Sequence, residues 1–132
     1  MPAGDPQRLT IRVYYEDTDF SGNVYHAQYL KFFERGRTEF LRALGVHHSE
    51  LIESGLVFAV THMEIGFNAA AHIDDLLSVE TRLGDLSGAR VVLDQSIWRD
   101  ETIIAHAEVT IAMLNEKGRP VRIPPAVKNA LK

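Results

Sequence analysis

Leu9, Ile11 and Val13 alternate with Thr10, Arg12 and Tyr14, the period-two pattern of a half-buried strand, and the chain then enters an acidic loop at positions 16 to 24. From about Ala27 to Leu44 the period lengthens. Leu30, Phe33, Phe40, Leu41 and Leu44 share one helical face, while Lys31, Glu34, Arg35, Thr38 and Arg42 lie away from it. This is the one long helix of the chain. Gly36 sits in its middle, where glycine costs about 1 kcal/mol relative to alanine, so close packing of another backbone element against it is expected. Gly45 suits a helix C-cap, and residues 49 to 54 predict a short second helix ending at Gly55.

From Phe58 onward the pattern predicts four strands, at 58 to 68, 76 to 84, 90 to 98 and 103 to 114. Alternation is clearest in the last, where Ile103, Ala105, Ala107, Val109, Ile111 and Met113 face one way and His106, Glu108 and Thr110 the other. A strand, a long helix and four strands joined by short turns predict an antiparallel sheet with its helix on one face, an α+β arrangement. No repeat, low-complexity tract or linker divides the sequence, so residues 1 to 132 read as one domain with a loose tail at 1 to 7. A sheet of this size leaves an edge open. A strand such as 58 to 68 can pair with its own copy, so a homodimer is the minimum expectation.

Composition narrows the chemistry. With 45% hydrophobic and 24% charged residues in 132, the chain has the balance of a globular domain. It has no cysteine, which removes disulfides, thiolate metal sites and cysteine nucleophiles. The first residues lack the basic start and apolar run of a secretory signal, and no stretch approaches the ~18 apolar residues of a membrane helix, so a cytoplasmic protein without a membrane span is expected. Fourteen Lys plus Arg against 18 Asp plus Glu give a formal charge of −4, which argues against a nucleic-acid partner.

The densest polar constellation runs from Tyr14 through Glu16, Asp17, Thr18, Asp19, Ser21 and Asn23 to His26, between the first strand and the long helix. A carboxylate against the apolar start of a helix can act as nucleophile or general base if burial raises its pKa toward working pH, with a histidine nearby to orient water. The plainer reading is that these acids cap the helix or are simply solvated. Spacing does not choose among Glu16, Asp17 and Asp19. A calcium or magnesium loop is disfavoured, because the EF-hand spacing and its terminal glutamate are missing; no metal is expected. His47-His48 and His72 to Asp75 read as surface groups, and Arg119 to Arg122 as a solvated basic tail. Phosphate loops, the G-x-S-x-G elbow and the H-E-x-x-H helix do not occur, and no cofactor is expected.

Val13-Tyr14-Tyr15-Glu16-Asp17-Thr18-Asp19, then Gly22-Asn23-Val24-Tyr25-His26-Ala27-Gln28-Tyr29-Leu30, closely resembles the 4-hydroxybenzoyl-CoA thioesterase family, nearest to its Tol-Pal-associated acyl-CoA thioesterase branch. The likeness continues through Phe33 to Glu39, Gly55 to Val60 and Asp74-Asp75. It implies the hotdog fold, a five-stranded antiparallel sheet wrapped around one long central helix. It also implies hydrolysis of short-chain or aromatic acyl-CoA, with Asp19, the second aspartate of the D-x-D element, as nucleophile or general base. Tyr15 and His26 match the branch's site tyrosine and histidine. The family's oxyanion contact, a backbone N–H, falls at about Val57 or Phe58.

The family assembles its site at a dimer interface, often within a tetramer, so a partner's Glu64 or Asn68 is expected to line the pocket. Two positions depart from the branch: Asn23 replaces an apolar residue and Gln28 an asparagine, changes expected to alter hydrogen bonding around His26. Where hydroxybenzoyl enzymes hold nucleotide phosphates with a basic cluster, this chain has Ser87-Gly88-Ala89-Arg90, leaving Arg90 alone and making acyl carrier protein an alternative carrier to coenzyme A. A rival reading is a binding module for acyl carrier protein or envelope-linked partners, with incidental hydrolysis. A hotdog dehydratase or isomerase ranks last, since those resemble other motifs around the helix.

Overall fold

The computed structural model describes residues 6–132. Five strands, β1 (Gln7–Arg12), β2 (Val57–Phe67), β3 (Leu76–Ser87), β4 (Arg90–Arg99) and β5 (Thr102–Leu114), form one antiparallel sheet in the order β1-β3-β4-β5-β2. The helices are α1 (Gln28–Ala43), α2 (His48–Glu53) and α3 (Pro125–Leu131). Helix α1 lies on the inner sheet face over β1, β3 and β4, and α2 touches β2. This is the hotdog arrangement, and every long element stands within a few residues of its expected place. No helix among the described residues is long and apolar enough to cross a membrane.

Gly36 explains how closely α1 sits. A Cβ built there would lie 2.7 Å from Val79 Cγ1 and 3.1 Å from both Gln95 Nε2 and Thr81 Oγ1. The sheet answers with a buried polar relay: Gln95 Nε2 donates to the Phe33 carbonyl and to Thr81 Oγ1, and Arg37 Nη1 donates to Gln95 Oε1 at 3.0 Å. The buried face of α1 is Tyr29, Phe32, Phe33, Gly36, Arg37, Phe40 and Leu41. Leu30, expected on that face, is exposed instead. The helix is rotated so that glycine, the residue permitting closest approach, points at the sheet, and Leu30 falls one 100° step outside the buried arc.

Three further expectations change. Of the loose tail at 1 to 7, residues 1–5 lie outside the described residues, but Gln7 already pairs with Thr81 in the ladder. The segment from Arg119 to Arg122 is not a solvated tail: Val121 N–H donates to the Met113 carbonyl, Pro120 bridges Leu114, and the chain closes with α3, whose Leu131 is buried. A short 3-10 turn, Tyr15–Asp17, also went unpredicted. Strand β2 contains a bulge at Thr61, between the Val60–Ile111 and His62–Thr110 pairs. On either side of it Phe58 and Val60, then Met63, Ile65 and Phe67, pair with residues of β5 on the inner-facing set Met113, Ile111, Val109, Ala107 and Ala105.

Candidate active site

Residues 14 to 26 form a loop held mainly by backbone bonds. Thr18 bridges Val24, Asp19 N–H donates to the Asn23 carbonyl, and Gly22, at φ +83°, supplies the left-handed turn between them. The loop is also bonded to the segment 70–75: Val24 N–H donates to the Ala71 carbonyl, Ile73 N–H to the Gly22 carbonyl, and Asn23 bridges His72.

The three acids that spacing left equivalent occupy different places. Asp17 is 4% exposed, and both its carboxylate oxygens are occupied, one by Tyr14 N–H at 2.8 Å and the other by Gln28 Nε2 at 2.9 Å. It ties the loop to the start of α1. Glu16 is exposed in the 3-10 turn. Asp19 stands at the loop's tip, where one carboxylate oxygen accepts from Ser21 Oγ and from Ser21 N–H at 2.9 Å. The Ser21 hydroxyl and N–H, with a lesser contribution from the Asn23 N–H, outweigh desolvation and hold the Asp19 carboxyl below its ordinary range. Burial therefore does not raise its pKa, contrary to expectation: no apolar wall covers it in the protomer, and its neighbours are donors. None of these acids caps α1, whose N-cap is Ala27 without a side-chain bond.

His26 is exposed, its ring 4.6 Å from Tyr25 and edge-on to Phe67 at 6.3 Å. Tyr15 is 80% exposed, its carbonyl accepting from Thr18 Oγ1 and its phenol forming no hydrogen bond among the described residues. Gln28 does not turn toward His26; it is committed to Asp17. Tyr29, absent from the sequence-based set, is buried with its hydroxyl accepting from Ala71 N–H at 3.1 Å, and burial pushes its phenol pKa up. Its ring meets Phe32 edge-on at 6.2 Å and Phe67 at 5.8 Å, and Phe67 is the residue it shares with His26.

The expected substrate-binding residues lie elsewhere. Val57 and Phe58 open onto a cavity of about 460 Å³ between α1, α2 and the inner face of β2, lined also by Arg37, Leu41, Ile52 and Ile111. Arg90 belongs to the same end of the sheet, since it pairs with Ala112, which pairs with Ala59. His26 meets Phe67 at the other end of β2. At ~3.3 Å per residue the ten steps from Val57 to Phe67 span about 30 Å. One protomer thus keeps its acid and histidine apart from its cavity. Glu64 does not line that cavity: it pairs with Glu108, which pairs with Asp94, on the outer face, and Asn68 bonds His106 there.

Comparison with known proteins agrees with this geometry. A family model described as the thioesterase-like superfamily matches residues 13–131. The acyl-CoA thioesterase YbgC of Haemophilus influenzae is 44% identical over 122 residues, 91% of this chain and 90% of its own. The acyl-CoA thioester hydrolase YbgC of Escherichia coli is 37% identical over 91% of each chain. A crystal structure of a probable thioesterase from Bartonella henselae superposes with a TM-score of 0.87 at 49% identity, covering 91% of this chain and all of that one. A fold, a loop motif and a family model that agree over nearly all the described residues leave one assignment: the chain belongs to the thioesterase-like superfamily.

Proposed function

We propose that this protein is an acyl-CoA thioesterase in which Asp19 is the reacting carboxylate. The observation that carries the reading is the division of labour in the loop: Asp17 is consumed by structure, whereas Asp19 is presented at the tip, ionised and accessible. A carboxylate held below its ordinary range is ionised at neutral pH and so is available for direct attack on the carbonyl. Asp19 adds to the thioester carbonyl, the C–S bond breaks with departure of coenzyme A thiolate, and water cleaves the acyl-aspartyl anhydride to free acid. A backbone N–H near Val57 or Phe58 stabilises the developing oxyanion, a contribution of roughly 3 kcal/mol for one well-placed donor. His26 positions the water, and Tyr15 reaches the substrate from the adjacent turn.

These groups meet if two copies pair through β2. That strand is an 11-residue sheet edge whose apolar inner stripe is left partly uncovered, with Val60 48% and Phe67 52% exposed. Antiparallel pairing about its centre sets Val57 of one copy beside Phe67 of the other, and hence the cavity of one beside Asp19 and His26 of its partner. The single-domain protomer accordingly works as a homodimer or a tetramer of such dimers, in the cytoplasm where acyl-CoA is made and used. Arg90, exposed at the cavity end, is the candidate contact to the carrier's phosphates, whether coenzyme A or acyl carrier protein.

The test is release of free thiol from short, medium and aromatic acyl-CoAs by wild type and Asp19→Asn. The variant is expected to lose at least a hundredfold in kcat. Wild type that hydrolyses none of the panel removes the thioesterase reading, and an Asp19→Asn variant as fast as wild type removes the site assignment.

A further inference from the structure

The loop that carries Asp19 has little core of its own, and its shape is copied from the segment beside it. Residues 70–75 make two backbone hydrogen bonds to residues 22–24, Val24 N–H to the Ala71 carbonyl and Ile73 N–H to the Gly22 carbonyl, which form the Asn23–His72 bridge, and Asn23 in turn fixes Asp19 through its carbonyl. The segment is itself held at its end by two backbone bonds to Val13 and by Arg12 on the Asp74 carbonyl, and whatever else holds it bears on Asp19. One side chain of that segment, Asp75, collects the bonds. Its Oδ2 accepts from His72 N–H at 2.8 Å and from Arg99 Nη1 at 2.8 Å, and the same Arg99 nitrogen donates to the Ala70 carbonyl at 2.9 Å. The pair spans the segment from its first residue to its last. Both partners are partly sheltered, with side chains 29% and 22% exposed, unlike the surface pair Arg8–Glu80, in which Arg8 is 65% exposed. Asp74, the residue between, takes the left-handed conformation at φ 70°, so the turn is not one the backbone adopts unaided.

We propose that Asp75 and Arg99 are positioning residues for Asp19, a carboxylate–guanidinium splint that holds the 70–75 template and through it the geometry of the reacting loop. Neither touches substrate. The splint acts through three successive links: Arg99 to Ala70 and Asp75, the Ala71 carbonyl to Val24 N–H, and the Asn23 carbonyl to Asp19 N–H. Burial alone would raise the Asp75 pKa, but the His72 N–H and the Arg99 cation outweigh it and hold the carboxyl low, so the splint is intact at neutral pH. Tyr29 supports the same template from the core side through Ala71 N–H.

This inference rests on the thioesterase reading, and a double-mutant cycle separates the two. Asp75→Asn keeps side-chain size while removing its charge, Arg99→Gln removes the cation with a shorter amide, and Arg99→Lys retains the cation without the fork. Expected for Arg99→Gln is a fall in kcat of about tenfold with KM within twofold, because misplacing the attacking oxygen harms the chemical step and spares binding. Arg99→Lys recovers part of the loss. In the Asp19→Asn background the same substitution has no further effect, since it acts only through Asp19. Hydrogen exchange at the Val24 and Ile73 amides speeds up in Arg99→Gln while amides of β4 and β5 keep their protection. Unchanged kcat with faster loop exchange overturns the proposal, as does a loss of rate that adds in full to that of Asp19→Asn. An Asp19→Asn enzyme as active as wild type overturns the thioesterase site instead.

Discussion

At Asp19, electrostatics and exposure point in one direction. The Ser21 hydroxyl and N–H groups stabilise the ionised form, so the reactive species is present at neutral pH and is lost only as pH falls through a value below the ordinary carboxylate range. Ser21→Ala removes the largest of those donors. The Asp19 side chain, followed by carbon NMR titration, is expected to titrate higher in that variant, closer to the ~3.9 of a free aspartate, and the acid limb of kcat/KM should move up with it; an unchanged titration would mean that the hydroxyl is not its partner in solution. Sequence spacing alone could not rank the three acids, because burial is what distinguishes them. Asp17 is spent on Tyr14 and Gln28, a partner eleven residues away and one turn of structure beyond any local pattern. Family likeness selected Asp19 where periodicity had no information.

For the elements, the period of the chain was enough to place each strand and α1, since apolar alternation and a glycine-marked helix survive into the fold. The rotation of α1 was not legible. It depends on how Gly36 docks on Val79, Thr81 and Gln95, residues far away in sequence. Gly36→Ala gains about 1 kcal/mol of helix propensity but forces a methyl into a 2.7 Å contact, and overpacking of that kind typically costs about 1–3 kcal/mol. A net loss of stability is expected in urea denaturation at unchanged m; a more stable variant would show that α1 can lift without harm. Helix α3 has only seven residues, about two turns, too short to display a period, and Leu131 is anchored by tertiary contact.

The whole molecule has its reacting loop at one end of β2 and its cavity at the other, and the proposed pairing of two copies joins them. Complementation tests this directly. Asp19→Asn lacks the acid, and Thr38→Trp fills the cavity, so each is expected to be inactive alone. Mixed under conditions that exchange subunits, they should recover about a quarter of wild-type activity, because half the dimers are mixed and each of those has one intact site. No recovery would place acid and cavity in the same protomer. The bulge at Thr61 gives this arrangement an evolutionary consequence. Side chains on a strand alternate, so inserting or deleting one residue inverts everything beyond it. By position number Phe58 and Val60 are in one phase and Met63, Ile65 and Phe67 in the other, and the bulge, by leaving the extra residue Thr61 unpaired, keeps them on one continuous inner stripe. A lineage carrying this strand can therefore lose the single codon for Thr61 and keep Phe58, Val60, Met63, Ile65 and Phe67 on one inner stripe, whereas a deletion at a paired position away from the bulge would turn neighbouring residues to the other face.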